Sequence, residues 1–101
     1  MAAATLSGRV SFVIPVLNEE QLVGPLLRDL RQRYPACELI VVDGGSRDQT
    51  VAAAMPLCDQ LLIGEPGRAG QMNLGGGVAR SEYLLFLHVD SRPGVSAECL
   101  G

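Results

Sequence analysis

From Val10 to Val16 the chain reads Val-Ser-Phe-Val-Ile-Pro-Val, a short β-branched run that predicts a buried strand closed by a turn at the proline. Beyond it, Val23, Leu26, Leu27, Leu30 and Tyr34 recur at helical spacing, which predicts an amphipathic helix to about Arg33, stopped by Pro35. Asn18 followed by Gln21 supplies a capping pattern for that helix. A proline inside a helix costs about 3 kcal/mol, so Pro25 predicts either a kink or a start near Gly24. Glu38 to Val42 is a second apolar strand, and it runs into Asp43-Gly44-Gly45-Ser46, a tight acidic turn. Ser46 and Gln49 form a capping box for a short helix from Thr50 to Met55, ended by Pro56. Gln60 to Ile63 makes a third strand. A glycine-rich segment from Gly64 to Gly77 holds a helix over about Ala69 to Ala79, and Tyr83 to Leu87 makes a fourth strand ending at His88-Val89-Asp90. Periodicity is lost from Ser91 to Gly101, which reads as an irregular tail.

Strands that alternate with helices, and that are continuously apolar rather than alternating, predict an α/β fold with a mostly parallel sheet and helices on both faces. Ligands of such sheets bind beyond the carboxyl ends of the strands. Asn18, Glu19, Asp43 and Asp90 all fall just after predicted strand ends, so separate loops deliver amide and acidic groups to one rim.

Length and composition narrow the chemistry. At 101 residues the chain is one domain or a piece of one, and 48% hydrophobic with 19% charged residues suits a chain that folds around a core. The net charge is −3, with eight Arg and no Lys, which gives no basic field for nucleic acid and removes Walker-type phosphate loops and Schiff-base chemistry. Cys37, Cys58 and Cys99 are odd in number and widely spaced, so reduced thiols in a cytoplasmic protein are the simplest reading. Met1 to Thr5 lacks the features of a signal peptide, and no apolar run reaches the roughly 18 residues that span a membrane.

Val13-Ile14-Pro15-Val16-Leu17-Asn18-Glu19-Glu20, then Ile40-Val41-Val42-Asp43-Gly44-Gly45-Ser46-Arg47-Asp48-Gln49-Thr50, then Tyr83 to Asp90 resemble, in order and spacing, the donor half of family 2 glycosyltransferases with the GT-A fold. Gly67 to Gly75 resembles a bacterial subgroup of the same enzymes. The resemblance covers residues 10 to 90. It implies a nucleotide-diphosphate sugar donor, a divalent Mg²⁺ or Mn²⁺, and inversion at the anomeric carbon, with the acceptor unknown. It places Pro15 and Glu19 against the nucleoside, Asn18 in the turn, Asp43 on the base or ribose, Arg68 near the base or diphosphate, and Asp90 on the metal. A metal there acts as a Lewis acid on the departing nucleoside diphosphate.

Two departures from the family pattern bear on function. His88 stands where the family usually has the first acid of its Asp-x-Asp motif, and an imidazole can contact a ribose hydroxyl or ligate Mn²⁺ but binds Mg²⁺ poorly. The family's general base and acceptor region come later than Asp90, so the chain is expected to hold the donor-binding half alone, with no catalytic residue of its own. A non-catalytic nucleotide-binding or assembly fragment is the alternative, and an uncovered fourth strand predicts a homo-oligomer. A dinucleotide-binding oxidoreductase is disfavoured, because strand one leads into Pro-Val-Leu-Asn-Glu-Glu rather than Gly-x-Gly-x-x-Gly.

Simpler roles compete at each position. Asp43 can serve as a turn-forming residue, Glu19 as an acid in a first helical turn, Arg68 as a solvated charge, Asp90 as a cap and His88 as strand-end packing. On the functional reading, Asp43 and Glu19 project from their loops toward the ligand and contribute little to stability. Gly75, Gly76 and Gly77 are expected to allow close helix packing rather than to cradle a phosphate.

Overall fold

The computed structural model describes residues 10–81 and 83–89, with the backbone alone at Arg68. Asp90, the predicted tail from Ser91 to Gly101, Cys99 and the opening Met1 to Thr5 lie outside the described residues. The chain runs β1 (Val10–Val16), α1 (Val23–Arg33), β2 (Glu38–Asp43), α2 (Thr50–Ala54), β3 (Gln60–Ile63), α3 (Arg68–Val78) and β4 (Tyr83–Phe86). The strands form one sheet in the order β3-β2-β1-β4, and every neighbouring pair is parallel. Residue for residue this is close to the expected pattern, with β4 one residue shorter and α3 one residue earlier.

The two faces of the sheet follow from strand alternation. Val10, Phe12, Ile14 and Val16 of β1 and Leu39 and Val41 of β2 share a core with Val23, Leu26, Leu27 and Leu30 of α1 and Ala54 of α2. Val13, Ile40 and Val42 point to the opposite face, where Val78 and Ala79 at the end of α3 pack on them. The central strands β1 and β2 are therefore buried on both faces, as their unbroken apolar runs require. β3 and β4 are edges, and Tyr83, Leu84 and Phe86 of β4 stay exposed. Cys37 belongs to the first core, and its burial pushes the thiol up to about 11, which keeps it protonated. No helix of the described residues is long and apolar enough to cross a membrane.

Of the two outcomes that Pro25 allowed, the structure shows the start near Gly24. The helix opens at Val23, so the proline sits in its first turn, where a backbone N–H has no partner within the helix. The capping patterns read from sequence do not form: neither α1 nor α2 has a side-chain hydrogen bond at its N-cap. Of the residues assigned to them, Asn18 and Ser46 are engaged between loops instead.

α3 is rich in glycine, a poor helix former at about 1 kcal/mol per residue relative to alanine. At Gly75 the reason is contact. A Cβ there would lie 2.4 Å from Val13 Cγ1 and 3.0 Å from Val42 Cγ2, so the helix rests directly on two central-strand valines. At the amino end of the sheet, Glu38 organises the return from α3 to β4. Its Oε1 accepts from Ser11 Oγ at 2.6 Å and from the Arg80 N–H at 2.9 Å, and its Oε2 accepts from Gln60 Nε2 at 2.9 Å. Partial burial works to raise the pKa of this carboxyl, but the donors from Ser11, Arg80 and Gln60 outweigh it and hold the pKa below the usual glutamate range.

Two outcomes are expected. Gly75→Ala should lower unfolding free energy by about 1–3 kcal/mol in denaturant titrations, the cost of overpacking a filled interface. A carboxyl whose pKa is lower in the folded state stabilises above the unfolded-state pKa, and that contribution disappears as pH falls through the folded value. Wild type should therefore exceed Glu38→Gln in thermal stability at neutral pH, and the gap should close with acidification below the ordinary glutamate range.

Candidate donor-binding site

The carboxyl ends of β1 and β2 are joined by hydrogen bonds between the loops that follow them. Asn18 adopts a left-handed backbone with φ 53°, a conformation that asparagine tolerates better than most residues. Its N–H donates to Ser46 Oγ at 2.8 Å, and its side-chain Oδ1 accepts from the Arg47 N–H at 2.9 Å. One residue on, the Glu19 N–H donates to Thr50 Oγ1 at 2.7 Å. Asp48 completes the junction: one oxygen accepts from the Thr50 N–H at 3.0 Å and from the Thr50 hydroxyl, the other from the Glu20 N–H at 3.3 Å. The Thr50 hydroxyl is the main reason the Asp48 carboxyl is held below the usual aspartate range. The β1–α1 and β2–α2 loops thus form one unit, and Asn18 and Ser46 bind across it rather than cap helices.

Asp43 closes the β2 turn from within. Its Oδ2 accepts from the N–H groups of Gly45 at 2.9 Å and Ser46 at 2.8 Å, and its Oδ1 accepts from Ser46 Oγ at 2.5 Å. Only 2% of the residue is exposed. This corrects the expectation that its side chain projects from the loop at no cost to stability, because three donors would lose their acceptor without it. A carboxylate offers about four lone-pair directions, and the turn uses three of them.

The other predicted residues occupy the same rim in different ways. Pro15 is buried near the end of β1 and, with Met72, Phe86, Leu87 and His88, lines a recess of about 150 Å³. Val13 accepts the Leu87 N–H at 3.0 Å, so odd-numbered residues of β1 face β4. Pro15 follows on that side without an N–H to donate, and the β1–β4 pairing ends at Val13 and Phe86. The recess opens at this point, between strands whose connections run to opposite faces of the sheet, which is the switch point where α/β sheets bind ligands.

Glu19 is half-buried beside a separate recess of about 290 Å³ lined by Asn18, Glu20, Gln21, Leu22 and Asp48, and its carboxylate has no partner among the described residues. Arg68 is the first residue of α3. Asp90 lies beyond the described residues, so the position assigned to the metal is not placed; among the described residues no three His, Cys, Asp or Glu side chains cluster to hold an ion. A further recess, about 470 Å³, lies away from this rim, between α1 and the turn before β3.

Sequence reasoning missed Gln71. It is 5% exposed, and its Nε2 donates to the carbonyls of Val16 at 3.1 Å and Val42 at 2.7 Å, at the ends of β1 and β2. A glutamine among glycines and apolar residues, in a helix whose other polar residues are Arg68 and Asn73, was the available signal.

Residues 11–94 match the family model for glycosyl transferase family 2. The chain belongs to this family. Two curated relatives are the dolichyl-phosphate beta-glucosyltransferases of Mus musculus and Homo sapiens, 30% and 31% identical over 81% of the chain. The match covers 31% of each, so the chain spans about a third of their length. Among solved structures, a mannosyltransferase from Pyrobaculum calidifontis in complex with GDP-mannose and Mn²⁺ superposes with a TM-score of 0.75 at 25% identity, covering 89% of this chain and 30% of that one. Mannosyl-3-phosphoglycerate synthase from Rubrobacter xylanophilus gives 0.72 at 26% identity, covering 88% of this chain and 34% of its own. The sheet is the amino-terminal half of a GT-A fold, as the family 2 motifs implied.

Within this family 2 rim, stability and binding should separate by residue. Asp43→Asn should lower unfolding free energy by about 1–3 kcal/mol, since an amide nitrogen cannot accept from the donors on the carboxylate. Glu19→Gln should stay within about 0.5 kcal/mol of wild type, as a partly exposed residue without a partner among those described. Chemical denaturation of both variants checks the contrast.

Proposed function

We propose that this chain forms the donor-binding face of an inverting glycosyltransferase that takes its sugar from a nucleoside diphosphate, with a divalent metal, for transfer to an acceptor. The observation that carries the reading is the convergence at one rim of the joined β1–α1 and β2–α2 loops, the first turn of α3 and the end of β4 beside Pro15. The mannosyltransferase relative binds GDP-mannose with Mn²⁺, which supports a nucleotide sugar and a divalent ion here.

On this reading Pro15 and Glu19 border the nucleoside, and the Asp43 turn presents a preformed edge to the base or ribose. Arg68 meets the base or diphosphate, while His88 faces ribose or the metal. Asp90, with oxygens of the diphosphate and water, would hold the ion, and one carboxylate with such oxygen partners suits Mg²⁺ or Mn²⁺. When bound, the metal would neutralise charge on the departing nucleoside diphosphate. The protein groups bind and orient the donor, and preformed loops reduce the ordering cost of doing so.

Calorimetric titration of nucleoside diphosphates with and without Mn²⁺ tests the proposal. Binding should require the ion, Asp90→Ala should abolish the ion-dependent binding, and Glu19→Gln should weaken binding by about tenfold, the scale of one hydrogen bond to a charged acceptor. No binding of any nucleoside diphosphate in the presence of Mn²⁺ would overturn it.

A further inference from the structure

We propose that Gln71 is a positioning residue that sets affinity for the diphosphate part of the donor, an inference that rests on the nucleotide-sugar reading. Gln71 lies in the first turn of α3, three residues after Arg68. Its two amide hydrogens reach the carbonyls of Val16 and Val42, and its Oε1 accepts the Gly67 N–H at 3.2 Å. One buried carboxamide therefore holds the ends of β1 and β2 and the residue immediately before Arg68 in a fixed relation. The Val16 carbonyl also receives the Gly44 N–H at 2.9 Å, so the Asp43 turn is tied to the same point.

Gly44 belongs to this arrangement. A Cβ at Gly44 would come within 2.9 Å of Gln71 Oε1 and 3.1 Å of its Cδ, so the turn passes directly against the carboxamide. Any larger residue there must displace Gln71. The two positions are coupled through space although 27 residues separate them in the sequence. A glutamine used only to secure the helix would need neither both strand ends nor the loop N–H. Its bonds converge instead on the segments that carry the nucleoside and diphosphate contacts.

The test uses the full chain with Mn²⁺ and compares a nucleoside diphosphate with the corresponding nucleoside. Gln71→Met keeps length but loses all three hydrogen bonds, and it should weaken diphosphate binding by roughly tenfold while nucleoside binding changes by less than about threefold. Amide exchange at Gly67, measured without ligand, should accelerate by roughly tenfold in the same variant. Should Gln71→Met fold poorly, Gly44→Ala provides the second route: by displacing the carboxamide it should weaken diphosphate binding at least as much and accelerate Gly67 exchange alike, and adding Gln71→Ala should bring little more. Equal losses for both ligands in Gln71→Met, additive losses in the double variant, or unchanged Gly67 exchange would each overturn the proposal. If wild type binds no nucleoside diphosphate, the donor reading fails, and Gly67 exchange alone still decides whether Gln71 holds the loop.

Discussion

The closeness of α3 to the sheet is the constraint on which the rest of the rim depends. With no side chain at Gly75, the helix sits on Val13 and Val42, and only at that depth can a glutamine one turn earlier reach the backbone carbonyls where β1 and β2 end. A helix one methyl group further out would leave those contacts beyond hydrogen-bond range, and a carboxamide buried without acceptors would cost more than it contributes. Close packing and polar attachment are thus one device. Gly75 is the glycine by which α3 docks; Gly77, expected to allow close packing as well, has nothing within 4 Å of where a Cβ would stand.

The polar groups of the rim show a consistent economy. Ser46, Asp48 and Thr50 each accept a backbone N–H from the neighbouring loop, and Asp43 accepts three donors from its own turn. Loops built of glycine, aspartate and serine are ordinarily mobile. Here they are braced before any ligand arrives, so the entropy of ordering them is a cost of folding and not of binding. At the opposite end of the sheet, Glu38 braces the return to β4 in the same way, with Ser11 and Gln60 supplying donors from the flanking strands.

Strand positions were legible because burial on both faces leaves an unmistakable trace: Phe12 to Ile14 and Leu39 to Val42 are fully buried and fully apolar. The rim of the candidate site was legible too, since Asn18, Glu19 and Asp43 fall at or just after the carboxyl ends of β1 and β2. What sequence could not convey was partnership across distance. Ser46 followed by Gln49 has the form of a capping box, yet Ser46 receives its bond from Asn18, 28 positions away. The Asp43 turn was legible from its glycines, but not that three donors of the same loop close on the buried carboxylate. Gln71 was overlooked because its acceptors are backbone carbonyls, which every residue carries and no sequence displays.

Pro15 gives the rim an uneven stiffness. Between β1 and β2 the ladder continues to Val16 and Asp43 and is then prolonged by loop-to-loop bonds, so nothing there can shift without breaking several at once. Toward β4 the ladder stops at Val13 and Phe86, with one further bond from Leu87 to Val13, and the proline forbids the next. One side of the recess is therefore bounded by a ladder that runs to the strand ends and the other by a ladder that stops two residues short of Pro15, and the opening left between them is the recess that Pro15 lines.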